Sequence, residues 1–282
     1  MSLAANRPAT FGQIDDLTRL GQRLPIFPDG SVPKTILFED NFDNGACNWT
    51  QLIHAPAGGG PIRPIGVLTM DTEISHGGSS SSLMLSTGDQ PNTGGNYGSC
   101  MAIKRLSRGP DTGRVFYEFF WSWGSLAGQN TPRAIQFGLD EADENGVRRY
   151  YKVRWENWRH VSGGSGSGRT MQYQLLLGDN TMLDIPGAVF EHGYNENKRN
   201  LNHLEMIVDL NANVYDGLRI NGVGFGSLAD VPNDSLRAYG THTSTLVPFS
   251  LGMNATFEVL NRTDTVNTAA WANLAYARGL LL

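Results

Sequence analysis

The chain has 282 residues, 40% hydrophobic and 17% charged, enough to bury the core of one large domain. Its formal net charge is −5 at pH 7, with no block of five like charges, so it offers no electrostatic footprint to nucleic acid or to an anionic membrane. No run approaches the ~18 apolar residues of a membrane span, and the first twenty residues lack the charged and apolar regions of a signal peptide, which predicts synthesis in the cytoplasm.

Residues 1–35 read as an arm. Pro8, Pro25, Pro28 and Pro33 bracket one amphipathic run, residues 11–24, with Phe11, Ile14, Leu17 and Leu20 at helical spacing. Thr10 is placed to cap this helix and Pro25 to stop it. So short a helix is marginal alone and must dock, either on its own domain or on a neighbouring subunit.

The chain has 34 glycines, well above the usual ~7%, and from residue 36 onward they help separate short alternating runs. Strands are predicted at 36–42, 67–74, 82–86, 100–105, 115–123, 134–141, 147–155, 171–177, 204–210, 217–220, 249–257 and 269–277. Turn signals include Asn145-Gly146, Asn221-Gly222 and His76-Gly77-Gly78. About a dozen such strands predict an all-β, two-sheet antiparallel sandwich over residues 36–282. Residues 161–169, VSGGSGSGR, read as a hairpin tip. The final Leu280, Leu281 and Leu282 form an apolar end that would be odd on a monomer. With Phe11, Ile14, Leu17 and Leu20 they are the candidates for assembly contacts.

The run VFYEFFWSW at 115–123 turns Val115, Tyr117, Phe119, Trp121 and Trp123 to one side and Phe116, Glu118, Phe120 and Ser122 to the other. The same alternation sends Ile135, Phe137, Leu139, Tyr151, Val153 and Trp155 inward. Hairpin adjacency is then expected to gather Glu118, Gln136, Asp140, Tyr150, Lys152, Arg154, Gln172, Gln174, Glu205 and Asp209 on one sheet face, with Glu118 and Arg154 at its centre. Planar donors and acceptors beside an aromatic plate suit a polyhydroxylated ligand. A solvated sheet face with cross-strand ion pairs, or a subunit interface, would show the same pattern.

The segment FEDNFDNGACNW at 38–49 resembles the opening strand of jelly-roll modules in the concanavalin A-like lectin and glucanase superfamily, with Asp40 and Phe42 as the acidic-aromatic pair before a turn and a Trp. ISHGGSSSSLML at 74–85 and HLEMIVDLNANVYDGLRINGV at 203–223 resemble later pieces of that pattern, and 269–277 its closing strand. The resemblance implies a concanavalin-like jelly roll; fold alone does not imply function. Glucanases of that superfamily alternate catalytic carboxylates along one strand. The nearest match here, Glu141, Asp143 and Glu144, breaks the alternation and reads as a hairpin turn.

No catalytic or nucleotide-binding fingerprint occurs, and the six histidines are scattered, so a zinc site would have to be assembled by the fold. Modules of this kind sometimes carry structural calcium, for which Asp40 and Asp43 are the candidates; no other cofactor is expected. Cys47 and Cys100 are expected to be two thiols rather than a bridge. The expected function is that of a non-catalytic structural or recognition protein. A phage tail or virion component fits, made in the host cytoplasm, assembling as a homo-oligomer or with other virion subunits, and binding a cell-surface glycan. The alternative is a polysaccharide-active enzyme, bacterial cytoplasmic or extracellular, using acids such as Glu118 and Glu205.

Overall fold

A computed structural model describes residues 35–52, 66–87, 99–107, 112–124, 132–142, 147–160, 167–177, 181–189, 201–225, 237–238, 252–260 and 270–282. These hold sixteen strands and no helix. The strands are β1 (Thr35–Asp40), β2 (Trp49–Leu52), β3 (Gly66–Asp71), β4 (Ser82–Thr87), β5 (Ser99–Ser107), β6 (Arg114–Gly124), β7 (Ala134–Ala142) and β8 (Val147–His160). They continue with β9 (Ser167–Leu176), β10 (Met182–Val189), β11 (Asn202–Asp209), β12 (Val214–Ile220), β13 (Val223–Phe225), β14 (Arg237–Ala238), β15 (Gly252–Leu260) and β16 (Trp271–Leu281).

Two eight-stranded antiparallel sheets result. The first runs β13-β12-β11-β6-β16-β4-β3 with β1 on β16; the second runs β10-β9-β8-β7-β15-β5-β2 with β14 on β8. Together they make a jelly-roll-like β-sandwich, as the alternation predicts. The core is aromatic because the inward side of each central strand is: Phe119 and Trp121 of the first sheet meet Phe137 of the second at 5.2 and 5.4 Å, and Trp121 and Trp123 meet Trp155 at 5.5 and 5.6 Å. Offset rings at such separations add stabilisation beyond their buried area.

The 38–49 motif has a physical role. Asp40 points between the sheets, where its carboxylate accepts from Trp49 Nε1 at 2.9 Å and pairs with Lys104 Nζ of the opposite sheet at 2.7 Å. Phe42 takes φ 63°, unusual for a bulky residue, in exchange for complete burial of its ring. Asn221 (φ 49°) and Gly222 (φ 80°) form the two-residue hairpin turn that pairs Ile220 with Val223. This left-handed pair is what Asn-Gly favours.

Several expectations change. Strands β2, β10, β13 and β14 were not anticipated, being short or interrupted by Pro and Gly. Leu280, Leu281 and Leu282 are no loose apolar tail: Leu280 and Leu281 belong to β16, in the middle of the first sheet, and Leu280 and Leu282 are buried. A register shift between Leu274 and Tyr276 turns Ala277 and Leu281 toward the core and Leu280 outward. Phe11, Ile14, Leu17 and Leu20, with nearly all of the arm, lie outside the described residues. Both cysteines are free, Cys100 buried and Cys47 half-buried.

Candidate functional site

The ten residues expected on one face occupy two. Glu118, Glu205 and Asp209 stand on the outer face of the first sheet; Gln136, Asp140, Tyr150, Lys152, Arg154, Gln172 and Gln174 stand on that of the second. The error has a topological cause. Strand β6 pairs with β11 and β16, and the chain crosses to the other sheet before β7. Glu118 and Arg154 are therefore separated by the aromatic core. Asp209 serves a turn, its Oδ1 accepting from the backbone N–H groups of Asn211 and Ala212. The calcium candidates are likewise engaged: Asp40 as above, and Asp43 by the N–H and hydroxyl of Ser80 at 2.6 and 3.0 Å, which hold its carboxyl below the usual range.

On the second sheet the seven residues do converge. Register aligns Glu258, Gln136, Arg154, Gln174 and Asp184 in one row across five strands, flanked by Thr256, Gly138 and Lys152 in the next row and Asn254, Asp140 and Tyr150 beyond. Glu258, Thr256 and Asn254 escaped the sequence reading, although Met253, Ala255, Phe257 and Val259 alternate with them. An outer face is normally solvated; here Gln136 is 3% exposed, Gln174 5% and Glu258 7%. Lys152 Nζ lies 3.7 Å from Glu258 Oε2 and 4.8 Å from the centre of the Tyr150 ring. Burial lowers the lysine's pKa, but Tyr150 and Glu258 outweigh it and the net shift is upward. Gln174 Nε2 donates to Asp184 Oδ1 at 2.7 Å, and Arg154 Nη1 stands 3.5 Å from Glu156 Oε2. Gln136 Oε1, Arg154 Nε, Gln174 Oε1 and Asn254 Oδ1 are buried without a hydrogen-bond partner among the described residues.

The outer face of the first sheet carries a second cluster. One row reads Arg219, Glu205, Glu118, Arg278, Glu39, and beside it stand His203, Phe120 and Tyr276. Glu118 Oε2 receives Arg278 Nη2 at 2.5 Å and Oε1 meets His203 Nε2 at 2.8 Å. Burial raises the Glu118 pKa, but His203 and Arg278 together bring it below the ordinary value, whereas burial pushes Glu205 up. The ring of Phe120 is stacked between His203 (4.2 Å) and His76 (3.9 Å). Further along the face Phe116, Ile207, Leu280 and Leu282 form a small apolar cluster with Ile36. His203 and Arg278 were missed from the sequence, although His203 stands two residues before Glu205 and so shares its face.

The architecture is that of an all-β, two-sheet, jelly-roll-like sandwich. It is similar to peanut lectin in complex with a peptide (7% identity, TM-score 0.42, covering 83% of this chain and 97% of that one). It is also similar to family 7 alginate lyase A1-II′ with bound substrate (11%, 0.36, 76% and 81%) and to the tailspike protein 4 of bacteriophage CBA120 (12%, 0.34, 83% of this chain but 19% of that one). The likeness spans lectins, glycan-active enzymes and a tailspike, and is not specific to phage. No protein-family model matches the chain, and no curated protein matches it in sequence.

Proposed function

We propose that the chain is a non-catalytic recognition protein that binds a polyhydroxylated glycan on the outer face of its second sheet. One observation carries this reading: four neighbouring strands bring together Gln136, Arg154, Gln174 and Asn254, each with a buried polar atom that finds no hydrogen-bond partner among the described residues. A merely solvated face would leave such groups in water. Each orphaned atom costs about 1–3 kcal/mol, which a ligand able both to donate and to accept would recover once side-chain rotation turns these groups toward it. Sugar hydroxyls have that character, amides and guanidinium match them in plane, and Tyr150 offers a ring for an apolar sugar face.

The test is calorimetric titration of the full chain with a panel of soluble polysaccharides, repeated on Arg154→Ala and Gln136→Ala, with Glu205→Gln on the opposite sheet as control. Saturable binding that weakens at least tenfold in the first two variants and persists in the control supports the reading. Binding that is absent, or indifferent to all three, overturns it. Release of reducing or unsaturated ends in the same mixtures reports the glycan-cleaving alternative. A virion or tail setting, with assembly through residues 1–35, belongs to this proposal too. Light scattering on the full chain and on a version beginning at Pro33 tests it: an oligomer that dissociates without the arm supports assembly, and a monomer in both refutes it.

A further inference from the structure

We propose that Glu118, His203 and Glu205 form a binding site for a zinc-class divalent transition-metal ion on the outer face of the first sheet. The inference is independent of the glycan reading, which concerns the opposite face. Glu205 is the direct cross-strand partner of Glu118, and His203 lies two residues before Glu205 on the same strand. One donor atom from each of the three falls within 4.8 Å of the others.

Three features favour a metal over a simple ion-pair patch. First, the donors are oriented. The imidazole of His203 lies nearly parallel to Phe120, at 9°, with His76 stacked on the far side of that ring. Arg278 holds Glu118 Oε2, leaving Oε1 toward His203. Outer contacts of this kind fix ligand geometry in metal centres. Second, two buried carboxylates face each other, a pairing that is unfavourable by itself, and each nearby guanidinium serves one of them: Arg278 touches Glu118, and Arg219 stands 3.7 Å from Glu205. A dication between the carboxylates would neutralise both. Third, one imidazole with two carboxylates is a donor set suited to zinc rather than to calcium or magnesium, which take oxygen alone.

Bonds of about 2.0–2.2 Å place tetrahedral donors roughly 3.3–3.6 Å apart. The 2.8 Å contact between His203 and Glu118 would open slightly and the longest separation would close, within the reach of side-chain rotation. His203 would bind through the Nε2 lone pair, its proton resting on Nδ1. The His203 side chain is 24% exposed, so a fourth position is open to water.

The experiment uses chelator-treated full-length protein titrated with zinc by calorimetry and with cobalt(II) by visible absorption. One equivalent of zinc is expected, with the intense visible band of four-coordinate cobalt. His203→Ala and Glu205→Gln should each weaken binding at least about tenfold, while Glu73→Gln, which removes an exposed carboxylate outside the site, retains it. Circular dichroism establishes that each variant folds, and His203→Gln replaces His203→Ala if that variant does not. Absence of a one-equivalent site, or binding undiminished when His203 is removed, overturns the proposal.

Discussion

Lys104→Met tests the bridge between the sheets. Lys104 Nζ donates to Asp40 Oδ1 at 2.8 Å and to the Cys47 carbonyl at 2.7 Å, and lies 5.5 Å from the centre of the Phe38 ring. The two charged side chains are only 11% and 6% exposed. Without the ammonium, Asp40 keeps one neutral side-chain donor among the described residues, Trp49 Nε1, for a carboxylate lodged between two sheets. Breaking a buried pair from one side costs about 3–5 kcal/mol, a large share of the 5–15 kcal/mol typical of a domain. The double variant Lys104→Met/Asp40→Leu leaves no buried charge and should lose less than Lys104→Met alone. Urea unfolding followed by Trp fluorescence reads both from the midpoints at unchanged slope. A Lys104→Met loss below about 1 kcal/mol, the range of an exposed pair, would refute the argument.

Other outcomes follow from the same geometry. In Gly138→Ala the new methyl would stand 2.4 Å from Thr256 Oγ1 and 3.1 Å from the Tyr150 ring; thermal unfolding should show about 1–3 kcal/mol of overpacking, and the repacked face should bind glycan less well. Leu280→Ala should cost about 2–5 kcal/mol, as for a buried core leucine, whereas a dispensable tail would register nothing in the same melt. For Glu205 burial raises the folded-state pKa above the ordinary 4.5. The folded protein thus holds its proton to higher pH than the unfolded chain, and stability from this group is lost as pH rises through that window. In metal-free buffer Glu205→Gln should therefore gain Tm over the parent at about pH 7.5 and gain least near pH 4; the reverse order would contradict the burial argument.

The sandwich was legible because strand alternation reports burial directly: every inward residue named on β6, β7 and β8 is in the core. Register along a strand was legible for the same reason, which is why seven face candidates do meet on the second sheet. Adjacency between strands was not. Nothing local in 115–123 says that β6 borders β11 and β16 rather than β7, so Glu118 was assigned to the wrong sheet. The extra residue near Ala275 in β16 was equally silent; a sequence of small and apolar residues reads the same on either face, and only the shifted pairing shows Leu280 pointing outward. His203 and Arg278 went unseen because their partnership with Glu118 joins three strands far apart in the chain.

The position of β16 has a bearing on how the protein is made. Residues 271–281 form ladders with β6, β4 and β1, so the first sheet stays split around a missing central strand until the ribosome has delivered them. During that interval β6, among the most apolar segments of the chain, presents an unpaired backbone edge, the usual template for pairing with other chains. Yield in a cell should accordingly depend on how quickly the last strand reaches that gap, and slowing translation over residues 225–270 should raise the aggregated fraction without altering a single contact of the finished fold.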